Sequence, residues 1–452
     1  MEQQQSTQTL SRTLTLAPIV LFGLAYMTPM IVFGIYGVLA EETHGVVATA
    51  YVVALIAMLF TAYSYGQMVR AYPVSGSAYT FTRKSINPHL GFMVGWSVLL
   101  DYVFLPMVIW LIGSVYLNAA FPSVPVWVWI LTFIFITTAI NVIGIRVTTN
   151  INLIMMLFQF LVIGLFIILS VASVLNENSM GSLFTATPFF NGDMSLPLIL
   201  AGASIACYSF LGFDAVTTLS EETIDPEKTL PKAIFLIALL GGAIFVTASY
   251  FIYLVFPDHT QFVDSDSAGL EIARFVGGNL FSALFLAGMI TAQFASGLSA
   301  QASAARLLFA MGRDNVLPKK LFGALHPRFR TPIINIFVVA IIGLLALFMD
   351  VSTSTSFINF GAFITFTFVN ASVIGHYFVK KNKRQGKELV LYLLLPLIGT
   401  GLNIWLFFNL DIHALTLGTI WAVIGLIYLL FLTKAFKQEP PEMTFEDPEG
   451  TS

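Results

Sequence analysis

Charge is scarce in this chain: Asp, Glu, Lys and Arg make up 10% of its 452 residues, against the roughly 25% of a soluble domain. Cysteine is scarcer still. Cys207 stands alone, which excludes internal disulfides and thiolate metal clusters and leaves a small buried residue as its simplest reading. The six histidines (44, 89, 259, 326, 376 and 413) show no metal-ligand spacing and no H-E-x-x-H run. There is no G-x-x-x-x-G-K-[ST] loop, and no polar stretch is long enough for a nucleotide-binding domain. No metal, no cofactor and no nucleic-acid partner are predicted. Work done by this chain must draw on a gradient.

Hydrophobic residues fill 57% of the sequence. They fall in runs near 14–40, 46–70, 88–118, 124–144, 149–175, 195–219, 231–257, 278–311, 332–350, 354–379, 389–409 and 414–436, each about long enough to cross a roughly 30 Å hydrocarbon layer. The first run follows an almost uncharged tail without a small-residue cleavage site, so no removable signal peptide is predicted. Of 21 Lys and Arg residues, all but Arg274 lie in the even-numbered connections and the two tails. Basic residues near span ends stay cytoplasmic during insertion, which predicts both termini on the cytoplasmic side of the membrane. The predicted fold class is an all-α integral membrane protein of about twelve helices, with the lipid bilayer as its first partner. The tails are 1–13 and 437–452.

Two runs are interrupted. The first reads Gly23-Leu-Ala-Tyr-Met-Thr-Pro29, and its proline removes an amide donor and clashes with the preceding turn. The sixth reads Phe210-Leu-Gly-Phe-Asp214. Each opens a group of five runs, one over 14–175 and the other over 195–379, with two more helices over 389–436. An odd-numbered group forces its successor to enter the membrane inverted, and matched breaks in inverted halves point to a transporter's binding site. The plainer reading is a kink at Pro29 and close packing at Gly212.

Asp101 and Asp214 are the carboxylates well inside predicted spans, with no basic residue at comparable depth. An ionised carboxylate there costs at least about 2.5–3.5 kcal/mol, so each needs a cationic substrate, a proton or water. Capping a broken helix end is the alternative role. Aromatic faces attract ammonium groups, which makes Tyr26, Phe210 and Phe213 at the breaks the expected pocket walls. Met27, Thr28 and Gly212 complete the predicted substrate contacts.

The segment Gly212-Phe-Asp-Ala-Val-Thr-Thr-Leu-Ser-Glu221-Glu222, running on to Pro231 and Ile234, resembles the most characteristic stretch of the amino acid–polyamine–organocation permeases. Tyr72-Pro-Val-Ser-Gly-Ser-Ala-Tyr79, Gly91-Phe-Met-Val-Gly-Trp96 and Arg306-Leu-Leu-Phe-Ala-Met-Gly-Arg-Asp-Asn-Val-Leu-Pro318 agree with it. The resemblance covers residues 12–436 and is nearest to bacterial putrescine importers, whose first span also reads much like Gly-Leu-Ala-Tyr-Met-Thr-Pro-Met. It implies a leucine-transporter-like fold of two inverted five-helix repeats plus two helices, and alternating access between the breaks. It implies a gating or structural role for Glu221, Glu222 and Pro231. Ser296, Ser299 and Gln159 stand where sodium-coupled proteins of this architecture bind the ion, although serines also commonly bond their own helix carbonyls.

Three departures carry information. Typical amino-acid permeases have a glycine-rich first break whose amides hold the substrate carboxylate, as helix N-termini hold anions. Here that place reads Ala25-Tyr26-Met27-Thr28-Pro29, favouring an amine without a carboxylate. Putrescine importers carry an acid at the place of Gly34 and a lysine at that of Ser114; their joint loss reads as a mutual ion pair replaced by a neutral pair or, if the acid contacts the diamine, as loss of part of that site. Many relatives have a lysine at the place of Gln159, so a coupling role tied to it does not carry over.

The expected function is secondary import of a cationic amine or an amino acid, coupled to H+ (with Na+ left open), with Asp214 and Asp101 as proton-coupling candidates. An amino-acid exchanger without proton coupling and an amine-binding sensor are the alternatives. No enzyme is expected, because no paired acid–base or nucleophile constellation faces one membrane surface. Oligomeric state is not legible, since a lipid-facing surface and a subunit interface are equally apolar.

Overall fold

The computed structural model describes residues 12–73, 77–143, 149–176, 183–192, 194–220, 222–329 and 331–442. The first crossing is broken into α1 (Leu16–Met27), α2 (Ile31–Gly34) and α3 (Tyr36–Glu42). After it come α4 (Val47–Ala71), a short α5 (Ser77–Ser85), α6 (Pro88–Ala120), α7 (Val126–Ile143) and α8 (Thr149–Leu175). The sixth crossing is α9 (Leu196–Ala206), a tight helical turn over Cys207–Phe210 and another over Ala215–Leu219. The chain continues as α10 (Pro226–Val255), α11 (Ala268–Arg313), α12 (Lys319–Phe322), α13 (Ile333–Gly343), α14 (Val351–Val373), α15 (Lys387–Leu389), α16 (Leu395–Phe407) and α17 (Ile412–Leu432).

Among the described residues eleven apolar helical segments are long enough to span a membrane, and Ile333–Leu347 is shorter. The predicted crossing 332–350 therefore falls below the roughly 20 residues a bilayer core asks for. The protein is an all-helical, multi-pass membrane protein. Helix starts follow their capping residues: Asn87 accepts from the His89 amide ahead of α6, Asp350 from Thr353 ahead of α14, and Asp411 from His413 and Ala414 ahead of α17.

Polar groups join helices where lipid offers no partner. Ser64 of α4 donates to Asn370 Oδ1 of α14 at 2.6 Å, and Asn403 of α16 donates to Thr61 at 2.9 Å. The Trp96 and Trp421 rings stack with centroids 4.9 Å apart, and each indole donates to the other residue's carbonyl, at 2.9 and 3.0 Å. Replacing Trp421 with Ala removes one ring and the indole hydrogen bond to the Trp96 carbonyl, and Trp→Ala in a packed site costs about 3–5 kcal/mol. We expect Trp421→Ala to lower the melting temperature of the detergent-purified protein clearly, with α17 the first helix to gain hydrogen exchange. An unchanged melt would remove this pair from the contacts that hold α17.

The end of the chain is partly docked. Arg83 donates to the Pro440 carbonyl at 3.1 Å and pairs with Glu439 at 3.6 Å, while the Tyr79 hydroxyl reaches the Pro441 carbonyl. Residues 437–441 thus lie along α5. Arg146, Arg330, the tail acids from residue 443 onward and Glu221 fall outside the described residues.

Candidate functional site

The first crossing stops where Thr28 takes a left-handed conformation (φ 54°), one residue before the proline that lacks an amide. The chain then restarts as α2. An amide inventory of this break is informative. Thr28 N–H donates to the Ala25 carbonyl at 3.3 Å, and Ile31 N–H donates to the Thr28 carbonyl at 2.9 Å. Met30 N–H donates to Gln159 Oε1 of α8 at 3.4 Å. Pro29 has no donor. Each amide from residue 28 to 31 is committed or missing, and Gln159 braces the break from across the bundle.

The sixth crossing breaks at Leu211–Asp214. Gly212 sits at φ +100°, and a Cβ on it would lie 2.1 Å from Tyr26 Cδ1. Glycine is therefore what lets the two breaks meet, with the Tyr26 ring against the Gly212 backbone. Asp214 follows, and its Oδ2 accepts from the Tyr65 hydroxyl of α4 at 2.8 Å. Its side chain does not cap the following turn, so the capping alternative fails for that turn.

Asp101 joins this site from α6. The charge of Asp214 reaches it, and Tyr26 and Tyr102 lie within electrostatic reach of both carboxylates. No Lys or Arg among the described residues acts on either acid. Asp101 Oδ1 is buried without a hydrogen-bond partner, which a native structure tolerates only for a reason. Five positions on, Pro106 lies inside α6 and withholds the amide that would have bonded the Tyr102 carbonyl. Tyr26, Asp101, Tyr102 and Asp214 are each partly buried.

The other sequence candidates lie as follows. Phe213 stacks edge-on against Tyr65, with centroids 5.6 Å apart, and so backs the Asp214 site. Phe210 is fully buried and packs edge-on against Phe245 of α10. Met27 sends its methyl toward Gly241 of the same helix. Thr28 is buried, with its hydroxyl 3.5 Å from the Tyr26 carbonyl. Ser296 and Ser299 are partly buried on α11. The Glu222 carbonyl accepts the amides of Thr13 and Leu14, both at 2.9 Å, tying the start of the first crossing to the loop after the sixth. Pro231 packs on Gly66, with 3.0 Å between its Cβ and a Cβ built there.

Tyr65 was not visible as a site residue, because nothing in α4 marks one tyrosine above the others. Hydrogen bonds to a charged group are worth about 1.5–3 kcal/mol, so Tyr65→Phe is expected to lower transport efficiency about tenfold or more. Concentration-dependent uptake by the purified variant checks this, and a wild-type curve would sink the role.

Residues 19–433 match the family described as amino acid permease. The chain is 44% identical over 439 residues to the low-affinity putrescine importer PlaP of Escherichia coli K12, covering 97% of each chain. It is 26% identical to the methylthioribose transporter of Bacillus subtilis, over 95% of each chain. Its identity to the branched-chain amino acid permease BcaP of the same species is also 26%, again over 95% of each. These relatives transport small molecules and are not enzymes. A family match over residues 19–433 and a relative 44% identical nearly end to end identify a multi-pass membrane transport protein that belongs to the amino acid permease family.

Proposed function

We propose that this protein is a secondary active importer of a small cationic amine without a carboxylate, of the putrescine type, driven by protons. The observation that carries the reading is the committed amides of the first break: a substrate carboxylate would find no donor there. The site offers two carboxylates instead, Asp214 and Asp101, suited to a molecule with two ammonium groups. Asp214, steered by Tyr65, takes one; Asp101, with its unpartnered oxygen and the Tyr102 carbonyl nearby, takes the other. Tyr26 and Tyr102 supply the π faces that attract ammonium groups. The same acids, with no lysine or arginine acting on them among the described residues, are where a proton can replace the departing substrate.

Twelve helices in two inverted repeats, 14–175 and 195–379, with both termini cytoplasmic in the inner membrane, are the architecture this mechanism uses. The neighbours of Gly34 support a neutral replacement at that position: a Cβ there would meet Ile112 and Ile31 at 3.3 Å and Gln293 at 3.9 Å. None of these is an acid.

The test is uptake of labelled putrescine into proteoliposomes with an inward proton gradient and unlabelled amino acids as competitors. Gradient-driven accumulation that amino acids do not inhibit is the expected result. Uptake that needs internal amino acid and ignores the gradient would replace this reading with an exchanger. A sharper check compares diamine with monoamine. Asp101→Asn should weaken putrescine about tenfold or more while leaving butylamine competition nearly unchanged, because only the diamine has a second ammonium to lose. Equal weakening of both would remove Asp101 from second-ammonium recognition.

A further inference from the structure

A cavity of about 360 Å³ is lined by Arg70, Glu227, Lys228 and Lys232. Three cations face one carboxylate there, and none of the three forms an ion pair with any described residue. Arg70 ends α4 and the two lysines begin α10, so the cavity sits between two neighbouring helices on the basic face of the protein. The N-terminal end of α10 adds its partial positive charge.

The helix surfaces above the cavity decide what kind of anion belongs in it. On α10 the exposed Phe235 and Leu239 continue the stripe of Lys228 and Lys232 at helical spacing. On α4 Ile56 is exposed and Phe60 and Tyr63 are partly exposed, but Tyr63 donates to the Leu391 carbonyl and residues 64–69 before Arg70 are buried. An apolar, exposed stripe on α10 thus runs into a cluster of cations that form no ion pair with any described residue. A free phosphate would use the charges and leave that stripe unexplained.

We propose that this cavity binds the phosphodiester headgroup of an anionic phospholipid, with an acyl chain lying along the exposed stripe of α10. Basic pockets between membrane helices on the cytoplasmic side are suited to such headgroups. Glu227 opposes the phosphate and keeps the affinity moderate. Pro231 and Gly66 pack these two helices together just inside the cavity, so the bound headgroup bridges helices that are already in contact and need not move to receive it.

The experiment is native mass spectrometry of the full-length, detergent-purified protein titrated with phosphatidylglycerol, phosphatidylcholine or glycerol phosphate. Phosphatidylglycerol adducts are expected to exceed phosphatidylcholine adducts severalfold, and glycerol phosphate to bind far more weakly. The R70Q/K232Q double variant should lower the phosphatidylglycerol affinity about tenfold. E227Q should raise it, a gain that misfolding cannot produce. Unchanged phosphatidylglycerol binding in both variants would overturn the proposal. Glycerol phosphate binding as tightly as the lipid would also overturn it in favour of a soluble phosphate site.

Discussion

Asp214→Asn is expected to abolish uptake while leaving the protein inserted and folded. Asparagine keeps the size of the side chain, and its carbonyl oxygen can still accept from the Tyr65 hydroxyl now 2.8 Å from Asp214. The substitution removes charge and little else. Losing one member of a desolvated, hydrogen-bonded charge pair costs about 2–5 kcal/mol, or roughly thirtyfold to several thousandfold in affinity. Two assays separate the roles the carboxylate can play. If Asp214 holds the ammonium, both gradient-driven uptake and exchange of labelled for unlabelled putrescine should vanish. If it carries the coupling proton alone, exchange should survive while accumulation against a gradient is lost. Near-normal accumulation would remove Asp214 from both roles.

Much of this protein can be read from spacing alone, because a bilayer imposes strong rules. Hydrocarbon thickness sets the length of apolar runs, and the retention of basic residues sets their alternation, so Arg274 stands out as the single exception. The breaks were legible because Pro29 and Gly212 have backbone consequences that need no partner. The partners themselves were not. Gln159 reaches the Met30 amide across 129 positions, and Tyr65 reaches Asp214 across 149; no local pattern encodes such pairs. Aromatics beside a break are equally opaque, because a tight turn rotates successive side chains differently from an α-helix. Phe210 faces α10 whereas Phe213, three residues on, faces Tyr65. Charged groups buried in a membrane draw attention by cost, which is why Asp101 and Asp214 were found while the neutral Tyr65 and the Tyr102 carbonyl were not.

Gly212→Ala carries the second large effect, and it tests the geometry of the breaks apart from the charges. A methyl group at that position meets Tyr26 Cδ1 at 2.1 Å and Cε1 at 2.8 Å, and the backbone stands at φ +100°. Holding an L-residue in so sparsely populated a conformation costs about 1–3 kcal/mol, and the Tyr26 ring must move away from the wall it forms. The expected result is a roughly hundredfold loss of uptake, in line with that strain plus the displaced ring. Two comparisons identify the cause. Gly164→Ala, where an added Cβ has no neighbour within 4 Å, should transport normally. The double change Gly212→Ala with Tyr26→Ala relieves the collision and leaves the φ strain. It should therefore recover folding stability relative to Gly212→Ala without recovering uptake, since the Tyr26 ring is itself part of the pocket. Normal transport by Gly212→Ala would mean that the sixth crossing can shift away from Tyr26 at no cost, and that the contact between the two breaks does not position Asp214.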